Sequence, residues 1–180
     1  MSLVRKRRGR VELSVDADES AMLVSLVEQV AGLLEGDARP PSDDPFALWQ
    51  AEFAAPVVLD RDDPVIVRLF PDAYPDDEVA SDEFRRLTQS RQRSERLSNA
   101  GVVLAALKAG VDGKPVVVES GDLSAWLKTL TSVRLSLGVR LGIESDADLA
   151  RAQSWGPQDP RSFAYRVYEW ISYIQEELLS

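Results

Sequence analysis

The stretch "PVVVESGDLSAWLKTLTSVRLSLGVRLGI", residues 115–143, joins a short apolar run to the most apolar helical pattern in the chain. Residues 116–119 are mostly β-branched and read as a strand. From Leu123 onward, apolar residues recur every three or four positions, and further leucines and valines widen that stripe. A helix this apolar is usually covered on more than one side. We therefore predict a central helix over 122–143.

The N-terminal part of the chain repeats this order of strand, acidic cap and apolar helix. Residues 11–15 alternate between apolar and polar side chains, which predicts a short strand. A helical pattern begins near Asp18 and ends at Gly36. Since neither strand can be stable alone, we predict that residues 11–15 pair with 115–119.

Three more segments carry helical signals. Pro64 is placed to open a short helix that Pro71 closes. A long pattern covers 81–109, and its apolar residues point in opposite directions, so the helix either breaks near 88–99 or packs its two halves on different partners. The last pattern covers about 160–180. The predicted fold is mostly α: a single-domain helical bundle with a small two-stranded antiparallel β ribbon.

The composition is typical of one globular domain. The 180 residues are 44% hydrophobic and 28% charged, with a net charge of −9. No apolar run reaches the roughly 18–20 residues of a membrane span, and the N-terminus lacks the apolar core of a secretory signal. The chain has no cysteine, so it has no disulfide framework. We therefore expect a cytoplasmic protein without a membrane partner.

A cluster of cations opens this acidic chain. We predict a flexible basic N-terminal arm over 1–10, followed by a single helical domain over 11–180. A solvated tail is one interpretation of the arm, and contact with DNA phosphates is the other. The cations are Arg5, Lys6, Arg7, Arg8 and Arg10.

A second group of cations lies in the predicted helix 81–109. These arginines share one face if the helix is continuous. A salt-bridged surface is one interpretation, and contact with nucleic acid or a protein partner is the other. The residues are Arg85, Arg86, Arg93 and Arg96.

Two tyrosines of the last helix, Tyr165 and Tyr168, lie opposite its main apolar arc. An exposed aromatic face is typical of a partner surface, so both are candidate interface residues. Together with the conflicting faces of helix 81–109, they suggest a homodimer.

The residue types that most enzymatic chemistry needs are missing. There is neither histidine nor cysteine, which excludes serine–histidine and cysteine–histidine nucleophiles. No glycine-rich phosphate loop is present. The acidic clusters at 60–63, 72 and 76–78 fit no calcium loop, and helix capping and solvation explain them better. We predict no enzyme activity, no cofactor and no metal site.

Three segments, in this order, resemble one known family: "DPVIVRLFPDAYPDDE" (63–78), "VVESGDLSAWLKTLTSVRLSLGVRLGI" (117–143) and "FAYRVYEWISYIQEELL" (163–179). This is the actinobacterial oxidative-stress-regulator family, much of which is catalogued as a domain of unknown function. The second segment is the most specific, with a helix start D-x-x-A-W-L followed by R-L-x-L-G-V. The likeness covers roughly residues 8–180.

The resemblance implies a cytoplasmic, non-enzymatic regulator of gene expression that acts with an alternative sigma factor. The net acidity of the chain favours a basic protein partner, such as a sigma factor or another RNA polymerase component. The resemblance carries over no catalytic residue. Redox sensing through cysteine, which the family's name suggests, has no residue to act through in this chain. Three functions stay open: a transcription-linked regulator that binds protein, which the net acidity favours; a direct DNA-binding regulator that uses the basic arm; and a structural or adaptor domain.

Overall fold

A computed structural model describes residues 9–36, 59–110 and 114–180, and the backbone of residues 3–7. Within these residues the chain forms three strands and six helices. The strands are β1 (Leu3–Arg7), β2 (Arg10–Ser14) and β3 (Val116–Glu119). The helices are α1 (Ala17–Glu35), α2 (Pro64–Leu69), α3 (Glu78–Ala109), α4 (Leu123–Leu141), α5 (Asp146–Gln153) and α6 (Ser162–Leu179). The predicted mostly α fold is confirmed.

The predicted strand pairing is also confirmed. β2 pairs antiparallel with β3, so that Val11 lies opposite Val118 and Leu13 lies opposite Val116. Leu13, Val116 and Val118 are buried. A one-residue slip would turn Leu13 towards solvent, so the burial of this face specifies the register.

The sheet has a third strand that the sequence analysis missed. We predicted a flexible arm over residues 1–10, but residues 3–7 form β1, and the strand order is β1-β2-β3. Arg7 lies opposite Arg10, so two residues connect β1 to β2, and Gly9 has a φ of 75°, which suits a tight hairpin turn. A run of cations lacks the apolar alternation that marks a strand. Such cations suit an edge strand because they discourage pairing with another chain.

The central helix is α4, as its apolar pattern predicted. It packs against α1, α2, α3, α6 and β3. Its largest buried side chains, Trp126 and Leu130, are completely inaccessible to solvent. Burial of such side chains is the main favourable contribution to folding, so the bundle is organised around this helix.

The long helix α3 is continuous over 32 residues. Its C-terminal half packs against α1 and α4 and buries Ala100, Val103 and Leu107. Its first turns carry Phe84 and Leu87, which are exposed. The conflicting apolar directions in the sequence therefore reflect two environments along one helix.

The short helix α2 begins as predicted. Pro64 occupies its first turn, and Asp63 caps it by accepting a hydrogen bond from the backbone N–H of Val65 at 2.7 Å. Proline suits this position because its missing N–H would have no helical partner there. The helix ends at Leu69, next to α4.

Candidate partner-binding surface

The loop after α2 is held against the start of α3 by hydrogen bonds. Asp77 caps α3, since its Oδ1 accepts from the backbone N–H of Ala80 at 2.9 Å. The hydroxyl of the buried Ser81 donates to the carbonyl of Tyr74 at 2.8 Å and accepts from the Tyr74 N–H at 3.1 Å. The loop and the first turns of α3 therefore present residues 72–87 as one surface.

Residues 72–87 carry a cluster of exposed apolar side chains. Val79 and Leu87 are 79% and 73% exposed, and Tyr74 and Phe84 are exposed as well. The rings of Tyr74 and Phe84 meet edge to face, with centroids 6.3 Å apart. Four of the eight exposed large hydrophobic residues of the described chain lie in this segment. Clustered apolar exposure of this kind is typical of an interaction surface.

The same segment is rich in exposed acidic residues, and we call residues 72–87 the acidic–apolar patch. This segment contains six exposed carboxylates and only two arginines. Arg85 is already paired with two of the carboxylates, and Arg86 lies 4.0 Å from a third. The patch therefore has a negative potential that attracts basic groups. The acidic residues are Asp72, Asp76, Asp77, Glu78, Asp82 and Glu83.

The four arginines predicted on one basic face are mostly engaged within the chain. Arg93 donates to two carbonyls at the C-terminal end of α1. Arg96 donates to the last carbonyl of α2 at 2.9 Å and to Ser132 Oγ at 3.0 Å. A cation at the C-terminal end of a helix stabilises it. Arg86, whose side chain is 74% exposed, is the freest of the four, and contact of this face with nucleic acid stays a prediction.

Four of the five N-terminal cations lie on the two strands of a hairpin. Arg5, Lys6 and Arg7 belong to β1, whereas Arg8 lies outside the described residues. Arg10 on β2 is exposed and pairs with a carboxylate of its own strand at 3.1 Å. Contact of these residues with DNA or a partner stays a prediction.

The structure corrects the prediction for Tyr165, which is only 6% exposed. Its ring stacks on Tyr168 and meets Trp155, which follows α5, edge to face, and its hydroxyl donates to Glu169 at 2.9 Å. Burial and the Glu169 carboxylate raise the pKa of Tyr165 to about 12. The periodicity of α6 alone does not reveal that α5 covers the face of α6 that carries Tyr165. Tyr168 is half-buried, and a homodimer stays a prediction.

No group of three or more metal-ligating side chains occurs among the described residues. In the same part of the chain, no helix has both the length and the apolar character to cross a membrane. The acidic clusters supply helix caps instead, as Asp63 and Asp77 do. The absence of enzyme activity and of a cofactor stays a prediction.

We did not predict this patch from the sequence, because capping and solvation alone explained the acidic runs. The available signal was the direction of Phe84 and Leu87, which point away from Val103 and Leu104 on the helical wheel. In a continuous helix, apolar residues opposite the core-facing stripe lie towards solvent. Exposed apolar residues beside an acidic run are typical of an interaction surface.

The chain belongs to the family described as "Domain of unknown function (DUF2017)", whose family model matches residues 1–180. Among curated relatives, the oxidative stress regulators AosR of Mycobacterium tuberculosis and Mycobacterium bovis are each 24% identical over 188 residues. These matches cover 99% of this chain and 76% of the relatives. A proposed oxidative stress regulator AosR of Mycobacterium leprae is 29% identical over 175 residues, which cover 89% of this chain and 77% of the relative.

No solved structure gives a significant match to this chain. The resemblance to the actinobacterial oxidative-stress-regulator family is confirmed by the family match and by these near full-length relatives.

Proposed function

We propose that this protein is a non-enzymatic cytoplasmic regulator that acts through a basic protein partner, such as an alternative sigma factor or another component of RNA polymerase. The names of the mycobacterial relatives support a regulatory role. The acidic–apolar patch supports a protein partner, and it is the observation on which the proposal rests.

Two properties of the patch favour a protein over free DNA. The carboxylates of the patch repel DNA phosphates. The basic surfaces with which other proteins bind DNA are instead attracted to the patch. Its apolar side chains gain free energy when they leave water, and a complementary apolar surface on a protein provides this. A DNA-binding protein with an apolar contact beside its basic surface therefore fits both properties.

The substitution Leu87→Ser tests this proposal. Leu87 is 73% exposed, so its replacement leaves the core intact, and Leu179→Ser on α6 is a matched control at 70% exposure outside the patch. We expect Leu87→Ser to weaken binding of purified sigma factor or polymerase by about tenfold, because a central interface contact contributes more than about 1 kcal/mol. Leu179→Ser should bind like the wild type. Surface plasmon resonance without nucleic acid measures both.

Equal affinities of the two variants would contradict a role of the patch. Binding that requires DNA would favour the direct DNA-binding alternative, in which affinity falls steeply with salt and is lost when Arg5 and Arg7 are replaced by serine. A protein that binds neither polymerase components nor DNA would instead be a structural or adaptor domain.

A further inference from the structure

A groove of about 390 Å³ lies between α3 and α4. Its walls include Glu95, Arg96 and Asn99, which share one face of α3 through helical spacing, and Leu127 and Lys128 of α4. The acidic–apolar patch consists of the loop before α3 and the first turns of that helix. The groove is therefore a separate site.

Polar atoms without a partner lie beside the groove. A cavity of about 10 Å³ shares Arg96 and Asn99 with the groove and is also lined by the buried Thr129. Asn99 Nδ2 and Thr129 Oγ1 are both buried, and neither has a hydrogen-bond partner among the described residues. Buried polar groups are almost always hydrogen-bonded. Asn99 therefore has an amide donor that an added acceptor would satisfy.

The groove also carries an excess of one positive charge. Arg96 is half-buried, and burial lowers its pKa. No carboxylate of the described residues lies within ion-pair distance of Arg96. Its hydrogen bonds to Ser132 and to the last carbonyl of α2 use two of its five N–H donors. Lys128, in contrast, is paired with Glu95 at the rim, and this pair lowers the pKa of Glu95.

We propose that this groove binds a small organic carboxylate. One negative charge matches the excess of one positive charge, whereas a phosphate monoester carries about −1.5 to −2. The Asn99 amide and the remaining N–H groups of Arg96 supply donors for the carboxylate oxygens, and charge-assisted hydrogen bonds are the stronger ones. The volume lies in the range of ligand pockets, and Leu127 offers an apolar wall for the rest of the molecule.

The site stands independently of the protein partner proposed above, and its test reports on the groove alone. Asn99 is the only asparagine in the sequence, so asparagine-selective ¹⁵N labelling gives one pair of side-chain amide resonances. We expect benzoate to shift these resonances saturably. Its neutral counterpart benzamide should bind about tenfold or more weakly, because it lacks the charge that Arg96 recognises.

Two variants complete the test. Asn99→Leu should weaken benzoate binding about tenfold by calorimetry, and it should keep the melting temperature because the lost amide has no partner in the free protein. Ser98→Ala, the exposed neighbour on α3, is the control and should bind like the wild type. The proposal is overturned if benzoate leaves the Asn99 resonances unmoved, if inorganic phosphate binds as tightly as benzoate, or if Asn99→Leu binds benzoate normally.

Discussion

Replacing Arg96 by methionine removes a half-buried cation from the place where α2, α3 and α4 meet. Its guanidinium donates to the carbonyl of Leu69 at 2.9 Å and to Ser132 Oγ at 3.0 Å. It also lies 5.2 Å from the centroid of the Phe70 ring, a cation–π contact. Methionine has a flexible apolar side chain that adapts to such a space but has no donors.

The expected loss of stability follows from these contacts. Hydrogen bonds from a charged donor contribute about 1.5–3 kcal/mol each, and removal of a partly desolvated cation offsets part of their loss. Ser132 keeps a hydrogen bond, because its hydroxyl also donates to the carbonyl of Lys128 at 3.0 Å, whereas the carbonyl of the buried Leu69 loses the one from Arg96. We therefore expect Arg96→Met to lower the free energy of unfolding by about 2–3 kcal/mol.

Urea unfolding followed by circular dichroism measures this loss, and an unchanged m-value shows that only stability has changed. Arg86→Met is the control, because the Arg86 side chain is 74% exposed and should change stability by less than about 0.5 kcal/mol. Equal stability of the two variants would refute a structural contribution of these Arg96 contacts.

Gly110→Ala should destabilise the protein by about 1–3 kcal/mol, because the added Cβ would lie 2.6 Å from Val116 Cγ2 and 3.3 Å from its Cα. Thermal unfolding checks this against Gly121→Ala, where no atom lies within 4 Å; equal melting temperatures would contradict the close approach. Tyr165, with its pKa raised to about 12, stays protonated in the folded protein while the unfolded chain ionises near pH 10. Its contribution to stability is therefore present below about pH 10 and is lost as the pH rises towards 12. The free energy of unfolding measured in urea should thus fall less steeply with pH over this range in Tyr165→Phe than in the wild type. Equal pH dependence of the two proteins would count against the raised pKa.

Local patterns predict the helices and the pairing of β2 with β3. Apolar spacing and a capping residue act within one or two turns, so α1, α2 and α4 follow from their own segments. Two short strands that cannot stand alone must find a partner, which led to the pairing of 11–15 with 115–119. β1 was missed because an edge strand rich in cations is held by backbone hydrogen bonds and needs no apolar alternation.

The candidate surface could be predicted only in part. The acidic run and the directions of Phe84 and Leu87 are present in the sequence. Their exposure depends on how far α1 and α4 extend along α3, which is a property of packing. The roles of Arg93 and Arg96 were hidden for the same reason, since they bind the ends of helices that lie far away in the sequence.

By itself, the sequence determines the helical class, the central place of α4, the acidity of the chain and the absence of histidine and cysteine chemistry. These properties depend on composition and on spacing within single elements. Only the tertiary structure decides which side chains are engaged and which are available. Trp155 contacts Tyr165 and Arg96 joins three helices, whereas Leu87 lies outside the core and the Asn99 amide has no acceptor. Each outcome arises from contacts between elements that are distant in the chain, and the periodicity of one element does not encode them.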